Sequence, residues 1–179
     1  MKNKNVQFVA RTAVLLALCV VIQLVISGQW VKGPLVNVVL LVAAMAVGLP
    51  CGLIVAVLNP LLVFVINAPG PMKLCPQILP VVMLGNCILV LVAWALRRPA
   101  MGIIGLAAAA AAKGAAMTLL TSYLVIPVFG AKLVAKGVDA TVRVMFGVTQ
   151  LYTAAIGCAV FFVIWQVLKK VPGLATADK

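Results

Sequence analysis

The chain has 179 residues, 66% of them hydrophobic and only 9% charged, with a mean hydropathy of +1.29 and a formal net charge of +12. Soluble domains are about half apolar and a quarter charged, so residues 1–179 read as a single membrane-embedded unit with too little polar sequence for a second, soluble domain. Histidine and glutamate are absent and the only side-chain carboxylates are Asp139 and Asp178, which excludes paired-carboxylate catalysis, histidine-based triads and His/Cys zinc sites.

Six apolar spans follow in chain order, so the expected fold is all-α: an integral membrane bundle of six transmembrane helices. The first is Phe8–Ser27. It resembles a signal peptide in being basic and then apolar. Its apolar part runs about twenty residues and further spans follow, so it reads as an uncleaved helix. Ala13 and Ala17 lie four apart in it, a flat strip for another helix, either in a partner or within the bundle. The second span, Pro34–Val47, follows a loop containing Trp30. The third, Cys51–Ile66, contains Asn59–Pro60. Both are short for a hydrocarbon core of about 30 Å, which suggests a bent or tilted hairpin. The fourth is Gln77–Leu96, the fifth Met101–Pro127 and the sixth Val142–Leu168. Glycine and proline mark the joints, among them Gly33–Pro34, Pro69–Gly70–Pro71 and Pro127. The cysteines lie mostly in apolar segments without CxxC spacing and read as small core residues.

The basic residues sit at the ends of spans, as topology signals and lipid-headgroup contacts rather than a nucleic-acid surface. One end holds Lys2, Lys4, Arg11, Arg97, Arg98, Lys169, Lys170 and Lys179; the other holds Lys32, Lys73, Lys132, Lys136 and Arg143. The positive-inside rule makes the first end, with both termini, cytoplasmic. The external end is still basic.

The run GLAAAAAAKGAAMT places Lys113 about 18 Å and about 21 Å from the two ends of the fifth span. That is too far for its stem to reach either interface, and charges at such depth face the bundle interior or a wet cavity. No carboxylate lies in any span. Either the amine is neutral, or its partner is an anionic ligand from outside the chain; backbone carbonyls and asparagines are the structural alternative. Met117, Leu120, Thr121 and Leu124 share its face at helical spacing. Asn37, Asn67, Lys73, Gln77, Tyr123, Thr149 and Gln150 fall in the outer half or its loops, where they describe an outward-facing pocket for a small polar anion. Helix–helix hydrogen bonding is the competing role for each. Trp30 is either an interfacial anchor or a ring that stacks on a flat ligand. Trp94 and Trp165 are interfacial anchors.

The sequence holds no GxxxxGK[ST] phosphate loop and no intramembrane carboxylate for ion coupling. The chain is therefore a passive channel or the binding subunit of a complex whose motor is elsewhere. RTAVLLAL, GPLVNVVLLVAA, PQILPVVMLGN and FGVTQLYTAAIG are similar to stretches of the substrate-binding S components of energy-coupling factor (ECF) vitamin transporters. The resemblance covers most of the chain. It implies capture of a vitamin-like micronutrient at the outer face, followed by delivery with a T component and two ATPases. It also implies that Ala13 and Ala17 contact the T component, and that the chain topples in the membrane to release substrate. No cofactor or metal is implied. Lys113, Lys32, Lys73 and Arg143 favour an anionic substrate. The candidate ligand-binding set is Lys113, Asn37, Lys73, Gln77, Tyr123, Gln150 and Trp30. A motor-independent facilitator and a scaffold subunit of a membrane complex are the alternatives, with Schiff-base chemistry at Lys113 a distant third.

Overall fold

The computed structural model describes residues 3–67, 72–73, 75–97, 102–135, 137–168 and 170; the side chains of Asn67 and Lys132 are not among the described parts. Lys2, Arg98, Lys136, Lys169 and Lys179, and the Pro69–Gly70–Pro71 joint, lie outside them.

Every long element is a helix. α1 is Lys4–Val25. α2 is Gln29–Val42 and continues through a π-helical turn, Ala43–Val47. α3 is Leu49–Asn67 and α4 is Ile78–Ala95. α5 runs through Gly102–Leu119, the π-helical turn Leu120–Val125 and Ile126–Ala135. α6 comprises Asp139–Arg143, the π-helical turn Val144–Val148 and Thr149–Leu168. Six of these helical runs are long and apolar enough to cross a membrane.

Several boundaries differ from the sequence reading, α1 starting at Lys4 and α6 at Asp139, and the largest shifts are at the start of α2 and the end of α5. α2 starts at Gln29, not at Pro34, so Trp30 lies in its first turn rather than in a loop. Pro34 removes one internal hydrogen bond, the one to the Trp30 carbonyl, just past the first turn, and the helix runs on through it. Gly28 makes the preceding turn with φ 94°, which suits glycine. With this extension α2 becomes a 19-residue span and the short hairpin disappears. Likewise α5 does not end at Pro127. The proline cannot donate to the Tyr123 carbonyl and its ring crowds that turn. The wider π-helical turn over Leu120–Val125 takes up the strain, and the helix continues.

The helices close a ring in the order α1, α3, α4, α5, α6, α2, each packed on its neighbours. Its outer surface is apolar, with Val14, Val65, Ile103 and Val163 exposed among many others, as lipid contact requires. Inside lie two apolar clusters. One joins Leu40, Ala44, Val55, Leu89, Ala109 and Phe161; the other joins Ile78, Val81, Met117, Val125, Val142 and Phe146. A layer of polar side chains separates them: along α5, Lys113 lies between Ala110 of the first cluster and Met117 of the second.

Small residues let the helices come close. A Cβ on Gly157 of α6 would lie 2.7 Å from the Asn37 Cβ and 2.9 Å from the Pro34 carbonyl oxygen of α2. Gly157→Ala should therefore push α2 away from α6. The expected cost is about 1–3 kcal/mol, as for other overpacked cores. A melt of the detergent-solubilised chain checks this; an unchanged midpoint would show that the interface yields freely.

Candidate functional site

The site begins with a proline. Pro60 of α3 has no N–H, so the Ala56 carbonyl one turn earlier loses its helical donor. The side chain of Asn86 on α4 supplies one: its Nδ2 donates to the Ala56 oxygen at 3.5 Å. That bond turns the Asn86 Oδ1 the other way, where it accepts from Lys113 Nζ at 2.8 Å. Asn37 Oδ1 of α2 accepts from the same Nζ at 2.7 Å. Three helices, α2, α4 and α5, are thus tied through one amine. Lys113 is 3% exposed, Asn37 2% and Asn86 4%, so this polar knot is sealed in the bundle. Buried polar groups are retained when they are hydrogen-bonded, and two neutral carbonyl oxygens meet that need in part. An ammonium has three N–H donors, so one is left over.

Lys113 lines a cavity of about 70 Å³. Lys32, Asn59, Gln150 and Gln29 also face it, and among the described residues no carboxylate does. The lining comes from the half of the bundle where α1 ends and α2 begins, away from the termini. On α2, Gln29, Lys32, Val36 and Asn37 recur at helical spacing and present one face to it. Asn59 is 1% exposed; its Oδ1 accepts from Gln23 Nε2 of α1 at 3.0 Å, while its Nδ2 is buried with no partner among the described residues. On α6, Gln150 Nε2 donates to the Met145 carbonyl at 3.1 Å across the π-helical turn. The non-helical backbone of Gly147 (φ −101°, ψ −106°) kinks that turn.

Of the candidates named from sequence, Lys113, Asn37 and Gln150 meet at this cavity. Trp30 lies beside it, lining a neighbouring groove of about 450 Å³ that shares Gln29 and Met145 with the cavity. Lys73 and Gln77 are exposed, and neither lines the cavity or the groove; their neighbour Met72 reaches the cavity. Tyr123 is 78% exposed on the outside of the π-helical turn of α5. Thr149 lines the groove. Asn59, Asn86, Gln23 and Gln29 also line the cavity without having been picked out as ligand groups, and so does Lys32, which the sequence reading took only as favouring an anionic substrate. The Asn59–Pro60 pair was the available signal, because a mid-helix proline frees a carbonyl that a neighbouring polar side chain must satisfy. Ala13 and Ala17 are exposed on the outside of α1 and are not packed within the bundle.

Neither a curated protein nor a solved structure matches the chain. The family model described as ECF transporter, substrate-specific component, matches residues 7–168, nearly the whole six-helix sequence. The chain therefore belongs to the family of substrate-specific components of ECF transporters and is a multi-pass cell-membrane protein that serves as a transport subunit.

Proposed function

We propose that this subunit captures a small anionic, vitamin-like micronutrient at the outer face of the membrane and hands it inward together with a T component and two ATPases. The observation that carries the reading is the Lys113 amine. It sits in a cavity lined by amides and a second lysine, held by two amide carbonyl oxygens and, among the described residues, faced by no carboxylate. Such a lining supplies donors and positive charge but no counter-charge, so the ligand must bring the negative charge. The positive-inside bias puts both termini in the cytoplasm, which directs the cavity half outward. The exposed Ala13–Ala17 strip is the docking face for the T component.

The test is to purify the chain in mild detergent, denature it and identify the released small molecules by mass spectrometry. A stoichiometric organic anion is the expected result. A cationic metabolite at full occupancy would reverse the assignment of charge. Substrate flux through vesicles holding this chain alone would replace capture by facilitated passage.

A further inference from the structure

We infer that the site takes a two-part ligand: a carboxylate seated in the buried cavity and an apolar or aromatic body lying in the groove beside Trp30. The inference rests on the proposed reading of the cavity as a capture site, and it names the chemistry of the captured molecule.

The carboxylate follows from unmatched donors. Asn59 lines the cavity, and its Nδ2 is buried with no partner among the described residues. In its protonated form Lys113 keeps a third N–H after Asn37 and Asn86 have taken two. A buried donor without an acceptor is costly and calls for a partner. A carboxylate offers two acceptor oxygens on one carbon, so it can serve donors arriving from α3 and α5 at once.

The second part follows from size. Sites for drug-sized molecules measure about 300–1,000 Å³. The cavity, at about 70 Å³, takes a carboxylate and little more. The rest of the molecule must lie elsewhere, and the cavity shares Gln29 and Met145 with the groove beside it. Beyond them is the groove of about 450 Å³ between the start of α2 and the start of α6. Its walls are Trp30, Ala140, Val144 and Met145 with Thr141 and Thr149, and among the described residues no charged side chain lines it. Trp30 is 58% exposed there, and its ring lies 6.1 Å from that of Tyr152 with the planes at 40°. An exposed indole beside an apolar wall is a surface on which a flat or aliphatic body gains contact area. The anion thus sits deep and the apolar body shallow, with Gln29 and Met145 at the threshold.

The test uses the full chain in lipid nanodiscs and four probes: 3-phenylpropionate, its amide, 3-phenylpropylamine and acetate, each followed by calorimetry and by thermal stability. The carboxylate with a body should bind at least about ten-fold more tightly than acetate or the amide. Asn59→Leu should weaken it about ten-fold. Asn59→Asp keeps both the volume and the acceptor for Gln23, and should abolish carboxylate binding. Trp30→Ala should weaken 3-phenylpropionate more than acetate. Equal affinity for acetate and 3-phenylpropionate would overturn the groove as the seat of the body. Unchanged affinity in both Asn59 variants would overturn the carboxylate seat. No binding of any probe at millimolar concentration would overturn the two-part ligand, while a co-purified anion would still uphold the capture reading. Tighter binding of the amine than of the carboxylate would overturn both.

Discussion

Purified Lys113→Ala chain should carry none of the small anion that co-purifies with the wild type, and should bind it about ten- to a hundred-fold more weakly. That is the range expected on losing a hydrogen bond to a charged group, about 1.5–3 kcal/mol. The substitution also strips a donor from Asn37 Oδ1 and Asn86 Oδ1, which Lys113 Nζ holds at 2.7 and 2.8 Å. The melting midpoint should therefore fall, because carbonyl oxygens buried without a donor cost about 1–3 kcal/mol each. The helices themselves should persist, since the two apolar clusters on either side do not depend on the amine. Lys113→Met separates the two effects by keeping the stem and its packing. Circular dichroism and the released-metabolite assay, run on both variants, give the answer. Wild-type affinity in both would reduce Lys113 to a tie between helices.

The second large effect is expected on the outside of α1. Ala13→Trp or Ala17→Trp should abolish ATP-driven uptake when the chain is reconstituted with a T component and ATPases, and should leave binding by the isolated chain unchanged. Both positions are exposed, so an indole there meets lipid or a partner and no neighbouring helix of the bundle. A flat strip of small residues allows close helix approach, and one large ring removes it. Uptake assays in proteoliposomes, paired with binding to the isolated variant, check this. Uptake at the wild-type rate in both variants would move the docking face elsewhere.

The six spans were legible because a hydrocarbon core demands runs of apolar residues, and such runs are hard to hide. The depth of Lys113 was legible for the same reason: its distance from both ends follows from residue count alone. Its partners were not. Asn37 and Asn86 lie 76 and 27 residues away in the chain, and only the closing of the ring brings them together. Helical spacing also placed Leu124 on the Lys113 face, yet Leu124 is 53% exposed. The π-helical turn at Leu120–Val125 is responsible, because it shifts the register of everything after it. Thr121, just inside that turn, stays fully buried and donates to the Phe146 carbonyl at 3.3 Å. Proline was read as a boundary at Pro34 and Pro127, where it proved to be a local perturbation within a longer helix.

α1 buries only Thr12 and Cys19. Among the described residues, it is tied to the bundle by hydrogen bonds from Thr12 Oγ1 to Cys51 Sγ at 3.3 Å and from Gln23 Nε2 to Asn59 Oδ1 at 3.0 Å. The second tie ends on the cavity, about 9 Å along the helix from Ala17. Under the proposed function, a lightly held helix that touches the ligand chamber near one end and carries the docking strip at its middle joins two equilibria. Linkage then works in both directions: whatever free energy the ligand adds to docking through α1, docking must return to the ligand by the same factor. Under the proposed function, occupancy of the cavity and engagement of the motor are readings of one helix's position, so measuring either affinity with and without the other partner gives the same ratio.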